Sequence, residues 1–510
     1  MARMVCCLSV RWRIRSWMLG LAVLSWYTMD PAACSADPRP NIVLVLADDL
    51  GYGDLGCYGS KELKTPHLDA FAAAGLRYTS CYAGHPNCSP SRTALMTGRT
   101  PTRVGVRNWI PEESPVHLRR SEITVATLLR GAGYATCHVG KWHLNGDFNG
   151  PTQPQPGDHG FDHWFSTQNN ALPNHRHPNN FVRNGKPAGP LTGYSAPLVA
   201  DEALRWLKGR DNRSVPFFLY VCFHEPHEPI ATDEPFSRLY PSEDPSYSAH
   251  HGNITQMDDA FGRLMRGLDE LNLRDNTLIW FTSDNGPAIT AQHPHGSAGP
   301  LRDKKGAVYE GGIRVPGILQ WKGHLPAGQT SDEPISGVDF LPTACAVAGI
   351  PVPQDRVLDG GDIRPTWSGQ PAARMTPLYW HFPLASSETK VAMRVGDWKI
   401  LATLDKAPLP RTNDITDEDE RRFKTAELDR LELYNLRRDV GETTDLAATE
   451  PEKLAELRAV LQTKYREVRD ESPVWPAWKF TGAEGRKIVW PEYTRQKKAR
   501  AAAKKKLPGT

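Results

Sequence analysis

Four short runs of aliphatic, β-branched and aromatic residues punctuate the chain: Ile42–Ala47, Tyr134–Val139, Phe217–Phe223 and Leu278–Ser283. Each is continuous rather than alternating, the pattern of a strand buried on both faces of a parallel sheet. Helical patterns lie between them. Thr65-Pro66 supplies a cap and a first-turn proline, and Gly75 closes that short helix. Thr124 to Arg130 stops at Gly131 and Gly133, and Met257, Phe261, Leu264, Leu268 and Leu271 recur at spacings of four and three, one apolar face of a helix. Strands alternating with helices predict an α/β fold whose mostly parallel sheet is sandwiched by helices. Beyond about Gly369 the pattern changes. Leu378–His381, Val391–Arg394 and Trp398–Thr403 read as short antiparallel strands, and Glu450–Val468 as a helix. The chain is therefore expected to divide into a main domain over 37–370, a smaller C-terminal α+β subdomain over 371–480, and a basic, disordered tail over 481–510.

The N-terminus changes this picture by adding a segment outside the fold. Arg3, Arg11, Arg13 and Arg15 precede an apolar run from Trp17 to Tyr27, followed by Ala32, Ala33, Ser35 and Ala36. That order is an export signal over 1–36, and the run is short for a membrane span. It predicts a periplasmic or secreted protein with no stable membrane insertion after cleavage. The segment holds four Arg and one Asp, so its loss takes the formal charge of +3 to zero. Arg495, Lys497, Lys498, Arg500, Lys504, Lys505 and Lys506 crowd the other end, leaving an acidic body. Such a body, without interleaved basic and aromatic residues, argues against a nucleic-acid partner. Six of the nine cysteines lie beyond the signal, with neither a Cys-x-x-Cys zinc spacing nor a small-domain disulfide framework.

The residues directly after each strand carry the chemistry. Asp48 and Asp49 come after the first run, Lys141 and His143 after the second, His224 and His227 after the third, Asp284 and Asn285 after the fourth. Open α/β sheets bind ligands at the carboxyl ends of their strands. Asp48, Asp49, Asp284 and Asn285 offer hard oxygen donors that suit Ca²⁺, and secondarily Mg²⁺, better than zinc. Taken singly, Asp-Asp also reads as a solvated loop pair and Asp-Asn-Gly as a turn.

The run Cys88-Ser-Pro-Ser-Arg-Thr-Ala-Leu-Met-Thr-Gly-Arg99 has the form Cys-x-Pro-Ser-Arg followed, after four intervening residues, by Thr-Gly-Arg. It resembles the signature of the sulfatases, formylglycine-dependent enzymes of the alkaline phosphatase-like superfamily. The resemblance continues through Ala47-Asp48-Asp49-Leu50-Gly51, Gly140-Lys141-Trp142-His143, Thr282-Ser283-Asp284-Asn285-Gly286 and Gly306 to Pro316, covering Asn41 to Gly349 in order. It implies that a separate maturation enzyme oxidises Cys88 to formylglycine (3-oxoalanine), whose hydrate attacks sulfur. It further implies a calcium ion held by Asp48, Asp49, Asp284, Asn285 and the modified residue 88. Arg92 and Lys141 would hold the nucleophile's charge, His143 would serve as base, and His227 would contact sulfate and protonate the leaving oxygen. Lys305 would bind sulfate with Lys141 and His227, although Lys304-Lys305-Gly306 replaces the family's Gly-Lys-Gly and leaves open which lysine faces inward.

Substrate is the thinnest reading. Gln168 to Asn180 is rich in Asn, His and Pro, and His175, Arg176 and His177 within it are expected to bind substrate, with Trp109 and His295 as further lining. Similarity to family members acting on sulfated sugars implies a carbohydrate O-sulfate. Two competing readings are a phosphatase or phosphodiesterase of the same superfamily, and a non-catalytic glycan-binding relative in which Cys88 stays unmodified.

Overall fold

The computed structural model describes residues 39–495. The expected export signal over 1–36 and the last stretch of the basic tail, 496–510, lie outside the described residues.

The four expected strands form as Asn41–Asp48, Ala135–Lys141, Phe217–Pro226 and Thr277–Ser283. They sit at the centre of a ten-stranded sheet. Thr277–Ser283 pairs in parallel with Asn41–Asp48, which pairs with Phe217–Pro226, then Ala135–Lys141, then His163–Thr167. Antiparallel pieces extend both edges, among them Gly317–Gln320 beside Thr277–Ser283. The continuous apolar runs have the cause inferred for them. Along Asn41–Asp48, Val43, Val45 and Ala47 enter one core, while Ile42, Leu44 and Leu46 enter the core on the opposite face. Helices Pro66–Ala73, Ser195–Lys208 and Pro245–Glu270 cover the first face. Cys88–Thr97, Val125–Gly131 and Phe340–Ala348 cover the second. Met257, Phe261, Leu264 and Leu268 are fully buried along one stripe of Pro245–Glu270, as their spacing requires.

The C-terminal part forms a four-stranded antiparallel sheet, Leu378–His381, Val391–Val395, Trp398–Leu404 and Leu428–Asn435 in that order. Helix Pro451–Glu471 lays Leu457, Leu461, Tyr465 and Val468 against it. The fourth strand, Leu-Asp-Arg-Leu-Glu-Leu-Tyr-Asn, is half exposed along its first residues, so no continuous apolar run announced it. His163–Thr167 was equally silent, being short and polar at both ends. Past residue 480 the chain does not leave the body at the boundary expected for a disordered tail. The Val489 N–H donates to the Pro173 carbonyl at 2.9 Å, Asn174 Nδ2 donates to the Val489 carbonyl at 2.9 Å, and Thr494 is buried. The six cysteines of the described residues are all free thiols. No helix among the described residues is long and apolar enough to cross a membrane.

Candidate functional site

The parallel strands end together, and their last residues meet. Asp48 closes its strand, and Asp49 takes a left-handed φ of 65° that turns the chain across the neighbouring strand end. There the Asp49 N–H donates to Asp284 Oδ1 at 3.2 Å and the Leu50 N–H to Ser283 Oγ at 3.1 Å. Gly286 allows the chain to leave this junction, because a Cβ there would lie 1.9 Å from the Gly311 carbonyl oxygen. Helix Cys88–Thr97 points its N-terminus at the same place. Asn87 caps it by accepting from the Cys88 N–H at 3.0 Å, and the helix is buried along its whole length. A helix N-terminus favours negative charge, and here it is presented at residue 88.

Around Cys88 the charges interlock. Lys141 Nζ lies 2.5 Å from Asp48 Oδ2, and Lys305 Nζ lies 2.5 Å from Asp49 Oδ1 and 3.2 Å from Cys88 Sγ. Arg92 donates through Nε and Nη2 to Asp284 Oδ2 at 3.1 and 2.8 Å, and through Nη1 to the Lys141 carbonyl at 2.7 Å. Asn285 Nδ2 donates to Asp49 Oδ1 at 2.8 Å, and His227 Nε2 stands 3.7 Å from Asp49 Oδ2. Ligand atoms of Asp48, Asp49, Cys88 and His227 all lie within 4.8 Å of one another. Two buried carboxylates at such range, with Asp284 joined to them through the Asp49 N–H and Arg92, repel unless cations sit among them. Burial would raise Asp48, yet Lys141, His227, Arg92 and Lys305 together hold it well below the ordinary carboxylate value. Burial and the neighbouring Asp48 charge push Asp284 up instead, against Arg92 and Lys141. Asn285 Oδ1 is buried with no hydrogen-bond partner among the described residues. An orphaned hard oxygen beside carboxylates fits a hard divalent cation.

The histidines differ in tautomer. His143 Nε2 stands 3.1 Å from the Ile110 carbonyl, an acceptor, so Nε2 carries the proton and Nδ1 holds the lone pair. That Nδ1 is buried and has no partner among the described residues. Burial, reinforced by Lys141 and Arg92, holds His143 well below the ordinary imidazole value. His227 Nδ1 faces the Glu228 carbonyl at 2.5 Å, leaving Nε2 towards Asp49. Burial lowers His227 to about 4 although Asp49 and Asp48 pull upward. Burial pushes the Cys88 thiol up to about 12 despite Lys141 and Lys305, so an unmodified Cys88 is a neutral thiol and a weak nucleophile.

Above this floor opens a cleft of about 640 Å³ lined by Cys88, His143, His227, Lys304 and Lys305, by Trp109, Asn169 and Asn170, and by Arg411, Asn413 and Glu484. Lys305 is the lysine that faces inward, while Lys304 Nζ is spent on the Ile289 carbonyl at 2.7 Å. The substrate loop reaches the cleft, but through different residues from those expected. His175 turns into the protein, 1% exposed and 3.8 Å from Glu225. Arg176 is exposed and donates to His177 Nε2 at 3.2 Å, and none of the three lines the cleft. Asn169 and Asn170 line it instead. His295 stands 3.4 Å from Asp244, away from the lining, and His224 Nε2 meets Thr167 Oγ1 at 2.8 Å behind the floor. Arg411, Asn413 and Glu484 come from segments with no local motif, and only their tertiary position marks them.

Comparison with known proteins agrees with this geometry. The Sulfatase family model matches residues 40–350. The N-acetylgalactosamine-6-sulfatase of Sus scrofa is 34% identical over 465 residues, covering 83% of this chain and 85% of the relative. Arylsulfatase A of Homo sapiens is 36% identical over 388 residues, covering 71% of this chain and 74% of the relative. Among solved structures, Ps i-CgsB in complex with k-i-k-neocarrahexaose superposes with a TM-score of 0.73 at 27% identity, covering 92% of this chain and 99% of that one.

Proposed function

This chain belongs to the sulfatase family and is a sulfuric ester hydrolase, and from that premise we propose that it removes O-sulfate from a carbohydrate with residue 88 as the nucleophile position. The observation that carries the reading is the setting of Cys88. It stands at a helix N-terminus, 3.2 Å from Lys305 Nζ and 3.8 Å from Asp48 Oδ1, at the floor of a polar cleft. Oxidation of Cys88 to formylglycine by a maturation enzyme would supply a hydrated aldehyde oxygen in place of the inert thiol. Asp48, Asp49, Asp284 and Asn285 would hold a calcium ion, which would supply positive charge for a sulfate oxygen.

The chain's own residues do the rest. Lys305 and Lys141 flank residue 88 and offer fixed ammonium charges to the sulfate oxygens, where a buried donor is worth far more than in water. Arg92 neutralises Asp284 and, by gripping the Lys141 carbonyl, fixes the strand end that carries Lys141. His143, with its proton committed to the Ile110 carbonyl, accepts a proton at Nδ1. His227 presents Nε2 towards the site, and an arriving sulfate raises its proton affinity so that it can protonate the leaving oxygen. The carbohydrate assignment draws on the substrates named for the relatives and on the amide-rich, partly aromatic lining of the cleft. The N-terminal pattern ending near Ala36 supports export to a periplasm or the cell exterior.

The decisive test is the mass of the Cys88 peptide from active enzyme, which should show one sulfur and two hydrogens exchanged for an oxygen. Cys88→Ala should lower sulfate release on the order of 10⁴-fold or more while the protein stays folded. An unmodified Cys88 in active protein, or activity retained by the alanine variant, rejects the mechanism.

A further inference from the structure

Glu484 is the one acidic side chain among the described residues that line the cleft, whose other charged groups are cations and imidazoles. It makes no ion pair with a described residue. Its oxygens accept from Asn169 Nδ2 at 2.8 Å and from the Asn170 N–H at 3.0 Å. Both asparagines line the cleft and are more than nine-tenths buried, at 5% and 7% exposure, and Asn169 Oδ1 has no partner among the described residues. A carboxylate accepts about four hydrogen bonds, so roughly half of the capacity of Glu484 is unused. Burial raises its proton affinity, with the hydrogen bonds from Asn170 and Asn169, and then Lys141, pulling the other way.

The placement is built rather than incidental. The segment that delivers Glu484 is pinned by Lys487 Nζ on Glu112 Oε1 at 2.5 Å and by the Val489 backbone on the Pro173 loop. On its other side Phe480 packs edge-on to Trp109, ring centroids 6.0 Å apart. Trp109 gives the cleft an apolar face of the kind that sugar C–H groups cover, and Glu484 gives it acceptors for the hydroxyls.

We infer that Glu484, held by Asn169 and Asn170, is a specificity-determining group: it accepts hydrogen bonds from hydroxyls of the sugar that carries the sulfate, and disfavours a second anionic substituent at that position. The inference rests on the carbohydrate reading. An acceptor-only group in a half-buried wall gains from an O–H donor and is left unpaired by a substrate lacking one. A second sulfate or a carboxylate beside it meets like-charge repulsion that solvent screens poorly.

The test compares kcat/KM on 4-nitrophenyl sulfate, which has no sugar, with kcat/KM on the best-cleaved member of a panel of mono-O-sulfated hexoses and hexosamines. For Glu484→Ala the sugar-to-aryl ratio should fall by roughly 10- to 100-fold, mainly through KM. For Glu484→Gln the preference for a vicinally disulfated sugar over its monosulfated counterpart should rise by roughly 10-fold. A ratio that stays constant while both substrates change together makes Glu484 a structural staple and overturns the inference. Should Glu484→Ala not fold, Asn169→Ala is read on the same ratio. Wild-type enzyme that cleaves the aryl ester but no member of the panel fails the carbohydrate reading itself, a distinct result.

Discussion

Two clusters of buried charge sit in this molecule, and they are built to opposite ends. At the floor of the cleft, Asp48, Asp49 and Asp284 face Arg92, Lys141 and Lys305. At the seam between the short helix Pro101–Val104, which follows the signature run, and the C-terminal helix Pro451–Glu471, Asp359 receives Arg103 at 3.0 and 3.1 Å, Lys464 at 2.6 Å and the Thr100 N–H at 2.6 Å. Arg99 there grips Glu122 at 2.8 Å, and both arginines reach Glu471. The seam closes on itself, and its cations hold Asp359 down to about 2 although burial opposes them. The floor does not close: Asp284 is pushed up, and His143 Nδ1 and Asn285 Oδ1 are left without partners among the described residues. Burial of charge therefore has different meanings. Charges that satisfy one another hold elements together, whereas a crowd with capacity left over is arranged for something that arrives.

The largest expected break in this contrast comes from removing the cation that the floor is proposed to hold. Chelation should lower activity by roughly 10³-fold or more, since a Lewis acid supplies several kcal/mol of charge stabilisation. Calcium added back should restore it, and should also raise the melting temperature, because an ion that binds only the folded state stabilises it. Recovery with zinc alone would contradict the oxygen donor set. The seam needs no ion, so its contribution to stability should be indifferent to the chelator.

Next in size is a comparison of adjacent lysines. Lys305 is engaged with Asp49 and Cys88, and Lys304 with a backbone carbonyl at the cleft wall. Lys305→Ala should cost about 10²- to 10³-fold in kcat, the loss typical of one preorganised charge donor. Lys304→Ala should cost less than about tenfold and act on KM, as loss of uniform binding does. Equal losses would mean that the floor and the wall are not functionally distinct.

The floor was legible in the sequence because its residues come directly after strands that announce themselves. A continuous apolar run marks the strand, and the polar residues at its end must emerge at the carboxyl edge, so Asp48, Lys141, His227 and Asp284 could be gathered from chain order alone. The wall and the seam were not legible, for one shared reason. Glu484 meets Asn169, and Arg99 meets Glu471, across more than 300 positions, and no local periodicity encodes such distances. His175, Arg176 and His177 show the cost of reading composition alone. The loop they belong to does reach the cleft, but its turn buries the first and points the others elsewhere. Arg99 is the instructive intermediate: it sits in the signature run, yet its side chain serves the seam.

The smallest effect tests the seam through pH. The folded-state value of Asp359 lies near 2, below the ordinary carboxylate value of about 4. A depressed carboxylate contributes stability that is fully present above its unfolded value and is lost as pH falls through its folded value. Over that window Asp359 alone should cost about 2 kcal/mol of unfolding free energy. In Asp359→Asn nothing titrates at this position, so the variant should be less stable than wild type near neutrality, and the gap between them should narrow as pH falls from about 4 to about 2. Denaturant midpoints across that range measure the gap, which cancels the titration of the floor because both proteins share it. Specific activity per folded molecule should be the same in the two proteins near neutrality. A gap that is constant with pH, or a loss of kcat/KM without loss of stability, would place Asp359 with the floor and dissolve the distinction between a charge cluster that holds and one that waits.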